Sequence, residues 1–462
     1  MIKTSGQLER GKQTHPGAIK IKSIEISNYL SGQTSRSQAI RKKVTKDITR
    51  IIAKMSIEES IYSPTLKLKL GVKDAAAFAE TFPISGQEKI RIVTLEDSIH
   101  SNIEVEKEMN FFVTNYPNFG KDSNENVSLY TIEGISEHAD LSGFKRISRG
   151  YNNPTSTEIR NILINDLEVP ERNLNFIGGD ISKSKGVINT QTPLAAIEFF
   201  RKNTFNSKGS PYYLYQSLNG RINFVSLTDL VKQKSGRTYF DTRGYTHPPE
   251  TLEDFIQMRD RILKLNSNFN VSAYEKGRSG AFSSRTYHLD WSNKNYTAHN
   301  YDYMKEINPK DDSLEPNRIL SKSFKIFDKS NSSSLNEINE SALFYVSKND
   351  KAFTDDINYG SSLSKLFHKI NAFDNLLNTY NHMIEVVGDT KLNPGKVITL
   401  NIPSSIDPSF RKSAGLSDAV DFDSTISGRY LITNVRHEIQ DGKYLSKVYL
   451  SRDSFSKGLE NS

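Results

Sequence analysis

The chain has 462 residues, and at about 100–200 residues per domain this length indicates about three domains. Lys and Arg number 61 and Asp and Glu number 54, so the net charge of +7 is small for the length, and a dedicated duplex-DNA binder would concentrate more positive charge. Cysteine is absent. Its absence excludes disulfides, thiolate nucleophiles, Cys-ligated zinc and iron–sulfur clusters, and is compatible with folding in a reducing cytoplasm.

The sequence shows no pattern of a secreted or membrane-spanning protein. The first 17 residues are polar and basic and lack the apolar region of a signal peptide, so we expect no secretory leader. The longest apolar stretches, such as residues 75–78, are far shorter than the roughly 18–20 residues that span a bilayer. We therefore expect no stable membrane insertion.

The first 135 residues carry mostly strand patterns. Residues 19–29 alternate apolar and polar side chains, with a slip near Ser23, and a basic segment at 31–47 is predicted to be a solvated loop. A short helix is predicted after Asp74, ended by Pro83 before a turn at Gly86. Further strands are predicted near 48–60, 66–72, 88–96, 110–116 and 127–134. This count predicts a barrel or small sandwich.

The next hundred residues mix helix and strand patterns. Apolar residues recur at helical spacing over 156–167, and Thr192-Pro193 opens a second helix. Residues 212–227 predict a hairpin that turns at Asn219-Gly220. Together these patterns indicate an α+β unit.

The remainder divides into a loop-rich region and a second β-rich block. Residues 232–360 are predicted to form long loops with one helix over 250–265, and a clear helix pattern covers 363–380. Closing strands are predicted at 382–388, 396–403, 428–439 and 443–453. The fold class we predict is therefore mainly β with α+β, with two tube-like β-barrel domains flanking a mixed α+β middle.

Motifs for catalysis or cofactor binding are weak. The nine histidines lack the spacing of metal ligands, and nothing completes a triad with His138 and Asp140. Asp418, Asp421 and Asp423 lack the Gly and Glu of a calcium loop, so we favour an acidic loop. No phosphate-binding fingerprint continues from Gly178-Gly179, and residues 277–280 are interpreted as a flexible loop rather than a phosphate contact. We predict no cofactor, no metal and no enzymatic activity.

The order of motifs resembles the central hub proteins of contractile-tailed phage baseplates. Residues 63–92, with a strand, a short helix led by Asp74, Pro-Ile-x-Gly-x-Glu and another strand, resemble that family's N-terminal barrel. Residues 427–455 resemble its C-terminal barrel, and residues 151–163 and 192–227 are similar to its intervening domain. Residues 232–360 have no counterpart in this resemblance.

The resemblance implies a structural role in the virion. Three subunits, each with two similar barrels, would form a pseudo-sixfold ring that adapts the hexameric tail tube to the trimeric central spike and leaves a channel for the genome. Implied partners are two further copies of the chain, the central spike protein, and the tail tube or tube-initiator protein. Baseplate wedge proteins are further candidates, and no sequence-specific contact with nucleic acid is expected. The protein would be assembled in the host cytoplasm and reside in the baseplate.

Seven positions match the family's motifs: Asp74, Pro83, Gly86, Glu88, Gly428, Tyr430 and His437. For these positions we favour turn formation and packing over direct contact with a partner. The predicted domains are an N-terminal barrel at 1–135, an α+β domain at 136–231, an insertion and helical region at 232–375, and a C-terminal barrel at 376–462. No segment after residue 455 is long enough for a spike needle, so we expect the spike to be a separate chain.

Three alternatives stay open. One is a peptidoglycan hydrolase in the baseplate, whose site would lie within 232–360. Another is the hub of a tailocin or a type VI-like injection device, which uses the same adapter geometry. The third is a module that binds host polysaccharide, suggested by the 10% aromatic content and the Tyr-rich segment 287–303.

Overall fold

The computed structural model describes residues 20–32, 40–97, 104–117, 119–122, 127–177, 183–206, 208–241, 259–291, 294–321, 325–327, 332–347, 359–404, 422–423 and 425–456. Its largest sheet has 14 strands and surrounds two hydrophobic cores, and we name the strands around each core the first and the second barrel. The predicted fold class, mainly β with α+β, is confirmed.

The first barrel encloses a core of isoleucine, leucine and valine side chains that alternate along its strands. Its strands are β1 (Lys20–Gly32), β2 (Ile40–Asp47), β3 (Ile52–Ser60), β4 (Lys67–Asp74), β5 (Lys89–Asp97), β6 (Glu104–Asn115), β7 (Gly120–Asp122) and β8 (Val127–Ser136), with the short helix α1 (Phe78–Thr81) between β4 and β5. The main path through this barrel is β3-β4-β8-β6-β5-β1-β2, and β7 pairs with β8.

Two sequence predictions for this barrel can be checked directly. The slip in the first strand is confirmed, because the register of β1 against β5 shifts between Ile21 and Ser23. The prediction that residues 31–47 form a solvated loop is wrong for Ile40–Asp47, which pairs along β1 as the antiparallel strand β2. Hydrogen bonds to β1 hold this segment as a strand, while Arg41, Lys42, Lys43 and Lys46 give it the basic composition of a loop.

The α+β unit packs its helices on two small sheets around a separate core. Its elements are α2 (Glu137–Phe144), β9 (Ile147–Pro154), α3 (Thr155–Asn161), which continues into a π-helical turn at Ile162–Asp166, β10 (Leu174–Ile177), β11 (Lys183–Gln191), α4 (Pro193–Lys202), β12 (Tyr212–Gln216), β13 (Ile222–Ser226) and α5 (Leu227–Val231). The Thr192 hydroxyl caps α4 by accepting from the Ala195 amide at 3.3 Å. Gly220, with a φ of +80°, forms the predicted hairpin turn.

The second barrel takes two strands from the region 232–360, which was predicted as long loops, and four strands from the chain after it. These strands are β14 (Thr238–Phe240), β15 (Ile262–Phe269), β21 (Tyr380–Val387), β22 (Val397–Asn401), β23 (Gly428–Gln440) and β24 (Lys443–Arg452). An isolated β-bridge between Phe240 and Arg261 joins the end of β14 to the residue before β15. The predicted helix over 250–265 is wrong at Ile262 and Leu265, which lie in β15 and pair with β21 more than a hundred residues later. Residues 250–258 lie outside the described part.

The region predicted as long loops contains regular elements. They are α6 (Ala273–Arg278), β16 (Ser283–Asp290), β17 (Asn295–Asp302), α7 (Tyr303–Glu306), α8 (Pro309–Asp312), β18 (Lys325–Phe327), β19 (Ser332–Ser334) and β20 (Leu343–Ser347). The helix predicted over 363–380 is confirmed as α9 (Tyr359–Leu377), although Tyr380 already begins β21. β16 lies between β17 and β20 in a three-stranded sheet, which packs one face on α9. This packing buries one face of the sheet, although the polar composition of the region is typical of loops.

The two barrels share the hairpin of β23 and β24. The first part of β23 contributes Tyr430, Ile432 and Val435 to the core of the second barrel. Its far end contributes Ile439, and β24 contributes Tyr444, to the core of the first barrel. Fully burying an isoleucine of this kind stabilises a fold by about 1.5–3 kcal/mol. The hairpin therefore ties the stability of each barrel to the other.

The close packing of the Tyr444 ring on Gly388 predicts that a substitution at Gly388 destabilises the fold. A Cβ added at Gly388 would lie 2.2 Å from Cγ of Tyr444, and the Gly388 amide donates to the Tyr444 carbonyl at 2.9 Å, which limits any backbone shift. We expect Gly388→Ala to lower the free energy of unfolding by about 1–3 kcal/mol, as overpacking does. Urea unfolding followed by circular dichroism measures it.

Gly71→Ala is the matched control, since Gly71 lies in β4 and a Cβ added there would meet Lys54 Cβ only at an ordinary 3.5 Å. Its effect should stay within about 1 kcal/mol, because alanine also loses less entropy on folding than glycine. Equal destabilisation by the two substitutions would contradict the close packing assigned to Tyr444.

Candidate functional site

The candidate functional site is the junction at which β3 of the first barrel pairs with β23 of the second. The two strands are antiparallel, with Asn434 opposite Ser60 and Gln440 opposite Lys54. Met55, Ile57 and Glu59 occupy the buried positions of β3. Because side chains alternate across a strand, Glu59 points into the same interior as the two apolar residues before it.

Glu59 is buried and holds three parts of the chain together. Its Oε1 lies 3.1 Å from Nε2 of His437 on β23. Its Oε2 accepts from the Leu218 amide at 2.8 Å, at the turn of the β12–β13 hairpin in the α+β unit. One carboxyl group thus contacts both barrels and the α+β unit, and removing either partner of such a buried pair typically costs 3–5 kcal/mol.

His437 is buried and has partners at both ring nitrogens. Its Nδ1 lies 2.7 Å from the Tyr444 hydroxyl and 3.3 Å from the Ser446 hydroxyl. When Nε2 carries the proton it donates to Glu59 while Nδ1 accepts from Tyr444, so every polar atom of the ring is satisfied. Burial raises the pKa of Glu59, and the hydrogen bond and charge of His437 and the Leu218 amide act in the opposite direction.

The apolar cavity beside His437 does not make this junction a ligand site. Its lining includes Met55, Ile57, Leu218, Ile439 and Tyr444. Its volume is about 20 Å³, enough for about one water molecule. The arrangement is a structural connection between domains.

A second polar cluster anchors the other end of β23. The buried Arg452 guanidinium lies 4.6 Å from the Tyr430 ring and 4.9 Å from the Tyr380 ring and donates to the Ser427 carbonyl at 2.9 Å. The Tyr430 hydroxyl donates to the Ile426 carbonyl at 2.5 Å and lies 3.0 Å from Nε2 of His382. Gly428, with a φ of +135°, leaves room for this cluster, because an added Cβ would lie 2.7 Å from an Arg452 nitrogen.

The four N-terminal motif positions lie in the connection between β4 and β5. Asp74 is buried and accepts from the Ala76 and Ala79 amides at 3.0 and 3.1 Å, although α1 itself begins at Phe78. Glu88 is buried and accepts from the Ser85, Gly86 and Gln87 amides at 2.9–3.1 Å. Gly86 has a φ of +83° and, like Pro83, is exposed. The two carboxylates thus use backbone hydrogen bonds to fix the start and the end of this connection.

Other sequence candidates lie apart from the junction. His138 is buried in α2 with Nε2 2.8 Å from the Pro64 carbonyl, and burial lowers its pKa. Residues 277–280, interpreted as a flexible loop, instead end α6, and Lys276 is buried and donates to the Asn375 carbonyl at 2.9 Å. Gly178-Gly179, Asp418 and Asp421 lie outside the described residues, and the Asp423 carboxylate accepts from the Thr425 amide at 2.8 Å.

The described residues carry neither a metal-binding cluster nor a membrane-spanning helix. They contain no group of three or more His, Cys, Asp or Glu side chains placed to hold a metal ion. Within the same ranges, every helix is too short or too polar to cross a bilayer.

Sequence reasoning identified His437 but missed its partner. The available signal was a charged residue at an inward position of an alternating strand, where Met55 and Ile57 are followed by Glu59. Arg452 was also missed, since a basic residue near the end of a strand is ordinarily exposed. Both residues acquire their roles only from strands distant in sequence.

Comparison with known proteins places tail and secretion proteins among the similar structures. No protein-family model matches the chain, and no curated protein matches its sequence. The fold is similar to a tail protein from Neisseria meningitidis, with 10% identity, a TM-score of 0.49, and coverage of 93% of this chain and 96% of that one. It is also similar to a 43 kDa tail protein of prophage MuSo2 from Shewanella oneidensis, with 12% identity, a TM-score of 0.49, and coverage of 94% and 99%. A component of the Escherichia coli type VI secretion system has 10% identity and a TM-score of 0.41, with coverage of 87% and 74%.

The raised pKa of Glu59 predicts a pH-dependent stability. The folded protein holds this proton more tightly than the unfolded chain, so the contribution of Glu59 to the free energy of unfolding is largest below pH ~4.3 and falls as the pH rises through the folded pKa. Glu59→Gln stays uncharged, so its stability relative to the wild type should rise between pH ~4 and pH ~7, by about 1.4 kcal/mol per unit of pKa shift. Urea unfolding across this range measures the difference.

Glu58→Gln is the control for this pH series. Glu58 is the next residue on β3, is half-buried, and pairs with Arg436 at 3.4 Å on the outer face. Its difference from the wild type should lack the upward trend with pH. A flat or opposite trend for Glu59→Gln would contradict the assigned effect of burial.

Proposed function

We propose that this chain is the central hub subunit of a contractile-tail baseplate. Three copies form a ring of six barrels that joins the hexameric tail tube to the trimeric central spike, and the genome passes through its channel. The role is structural and non-enzymatic, and it places the protein in the virion.

One observation carries the proposal: a single chain builds two barrels that share a continuous sheet through β3 and β23. The barrels are side by side, and their relative placement is fixed by backbone hydrogen bonds and by the buried Glu59–His437 pair. A threefold arrangement of such a chain presents six similar units. This geometry resolves the symmetry mismatch between a sixfold tube and a threefold spike.

The two ends of the sheet supply surfaces for ring closure. β2 and β15 are its terminal strands, and each pairs with one described strand, apart from the Arg261 bridge beside β15. β15 is exposed over most of its length, including the apolar residues Leu263 and Phe269. Exposed edge strands of this kind promote association with another chain. In the proposed ring, β15 of one subunit lies against the first barrel of the next.

The charge of the chain suits a channel through which nucleic acid passes. The net charge is +7 on 462 residues. A strongly basic lumen would hold the phosphate backbone through counterion release and slow its passage. The proposed ring therefore guides the genome without binding a particular sequence.

The proposed ring predicts the mass of the purified protein. Light scattering should give about 157 kDa, three times the 52.3 kDa chain mass. Electron microscopy of the same peak should show a ring with a central channel. A compact monomer at every concentration would contradict the proposal.

Leu263→Lys tests the edge of β15 directly. Leu263 is 48% exposed, so the subunit should still fold, while a charge at a subunit contact should shift the particle from trimer to monomer. The matched control is Val187→Lys, at a 71% exposed apolar position on β11 of the α+β unit, which should remain trimeric. A trimeric Leu263→Lys variant would exclude β15 from the interface.

A further inference from the structure

The outer face of the β16–β17–β20 sheet carries a row of exposed aromatic side chains. Tyr345 on β20 is 68% exposed, Tyr296 on β17 is 65% exposed, and Trp291 at the end of β16 is 72% exposed. Tyr287 lies between the two other tyrosines. This face is distinct from the barrel junction and does not depend on the proposed hub role.

The three tyrosine rings form one continuous row. Tyr287 stacks on Tyr345 with centroids 5.4 Å apart and planes 16° apart, and its centroid is 6.4 Å from that of Tyr296. Register explains the row, since Tyr287 is directly opposite Tyr345 in the parallel pair and diagonal to Tyr296 in the antiparallel pair. The indole nitrogen of Trp291 donates to the hydroxyl of Ser347, which lies two residues after Tyr345 on β20.

The opposite face of the sheet packs on α9, so the aromatic side chains described above are exposed on one face only. There, Thr286 lies 3.4 Å from His368 of α9, and Phe344 packs on Phe367 at 5.4 Å. The helix therefore covers the inner face and leaves the aromatic face to solvent. Large exposed aromatic patches of this kind generally mark binding surfaces.

The polar groups on the face suit an uncharged, hydroxyl-rich ligand. Arg285 lies between Glu340, at 3.8 Å, and Asn300, to which it donates at 2.9 Å, so its charge is offset within the face. The hydroxyls of Tyr287, Tyr296 and Tyr345 make no hydrogen bond within the described ranges and can accept from or donate to a ligand. Nucleic-acid platforms combine stacking rings with a positive groove, which this balanced face lacks.

The size of the face argues against a second protein as the occupant. Three strands about 4.8 Å apart and five residues of about 3.3 Å each define roughly 240 Å². A stable protein interface needs about 800 Å² on each partner. A narrow chain of pyranose rings fits better, because each sugar places a C–H face on an aromatic ring and hydroxyls at its edges.

We propose that this face binds a neutral polysaccharide chain, with Tyr345, Tyr287, Tyr296 and Trp291 as its stacking platform. Sugar rings lie along the aromatic row, and their hydroxyls contact the tyrosine hydroxyls, Ser347 and Asn300.

Trp291 provides the direct readout, since it is the only tryptophan in the chain. Acrylamide quenching of its fluorescence is measured with maltoheptaose, cellohexaose and chitohexaose as probes, and with oligo-dT as the nucleic-acid arm. We expect at least one neutral oligosaccharide to protect Trp291. Tyr345→Ala and, separately, Tyr296→Ala should weaken that binding about tenfold, and both positions are exposed enough for the variants to fold.

Tyr274→Ala is the matched control, because Tyr274 is 70% exposed but lies on α6, where it contacts Arg278. It should bind the oligosaccharide as the wild type does. The proposal is overturned if none of the three oligosaccharides protects Trp291 at millimolar concentration, or if oligo-dT protects it better. Protection that grows with protein concentration alone would assign the face to a second copy and would equally overturn it.

Discussion

The antiparallel pairing of β3 with β23 is the interaction on which the rest of the structure depends. It converts two barrels into one sheet of 14 strands and places Glu59 against His437 in the interior. The same carboxyl group accepts from the Leu218 amide, so the α+β unit is fixed to the joint as well. The interior is costly for an unpaired charge, and this cost makes the relative placement of the three parts specific.

This joint links the fold to the proposed role. A symmetry adapter must hold its two barrels at a fixed spacing, because a flexible linker would allow the barrels to leave their sixfold positions. The shared hairpin of β23 and β24 supplies this rigidity, since Ile439 and Tyr444 pack in the first barrel while Val435 and Val448 pack in the second. The aromatic face lies on another sheet.

Local sequence patterns predicted most strands and several turns. The elements that these patterns missed depend on pairing between strands. The alternation of β1, β4, β23 and β24 and the Asn219-Gly220 turn are visible in the sequence. β2 was predicted as a loop and the first part of β15 as a helix. Pairing with another strand determines both elements, and their local compositions do not show this pairing. His437 was selected through a family resemblance, whereas its partner Glu59 lies 378 residues away, a separation that one sequence does not reveal. The boundaries of the predicted domains and the partner contacts of the seven motif positions stay predictions.

Hydrogen exchange of the isolated subunit tests the central claim most directly. If β3 and β23 form a permanent joint, the paired amides of Met55–Glu59 and Val435–Ile439 should exchange as slowly as those in the cores of both barrels. Exchange at the rate of an exposed edge strand, with both barrel cores still protected, would show that the barrels separate and would contradict the account.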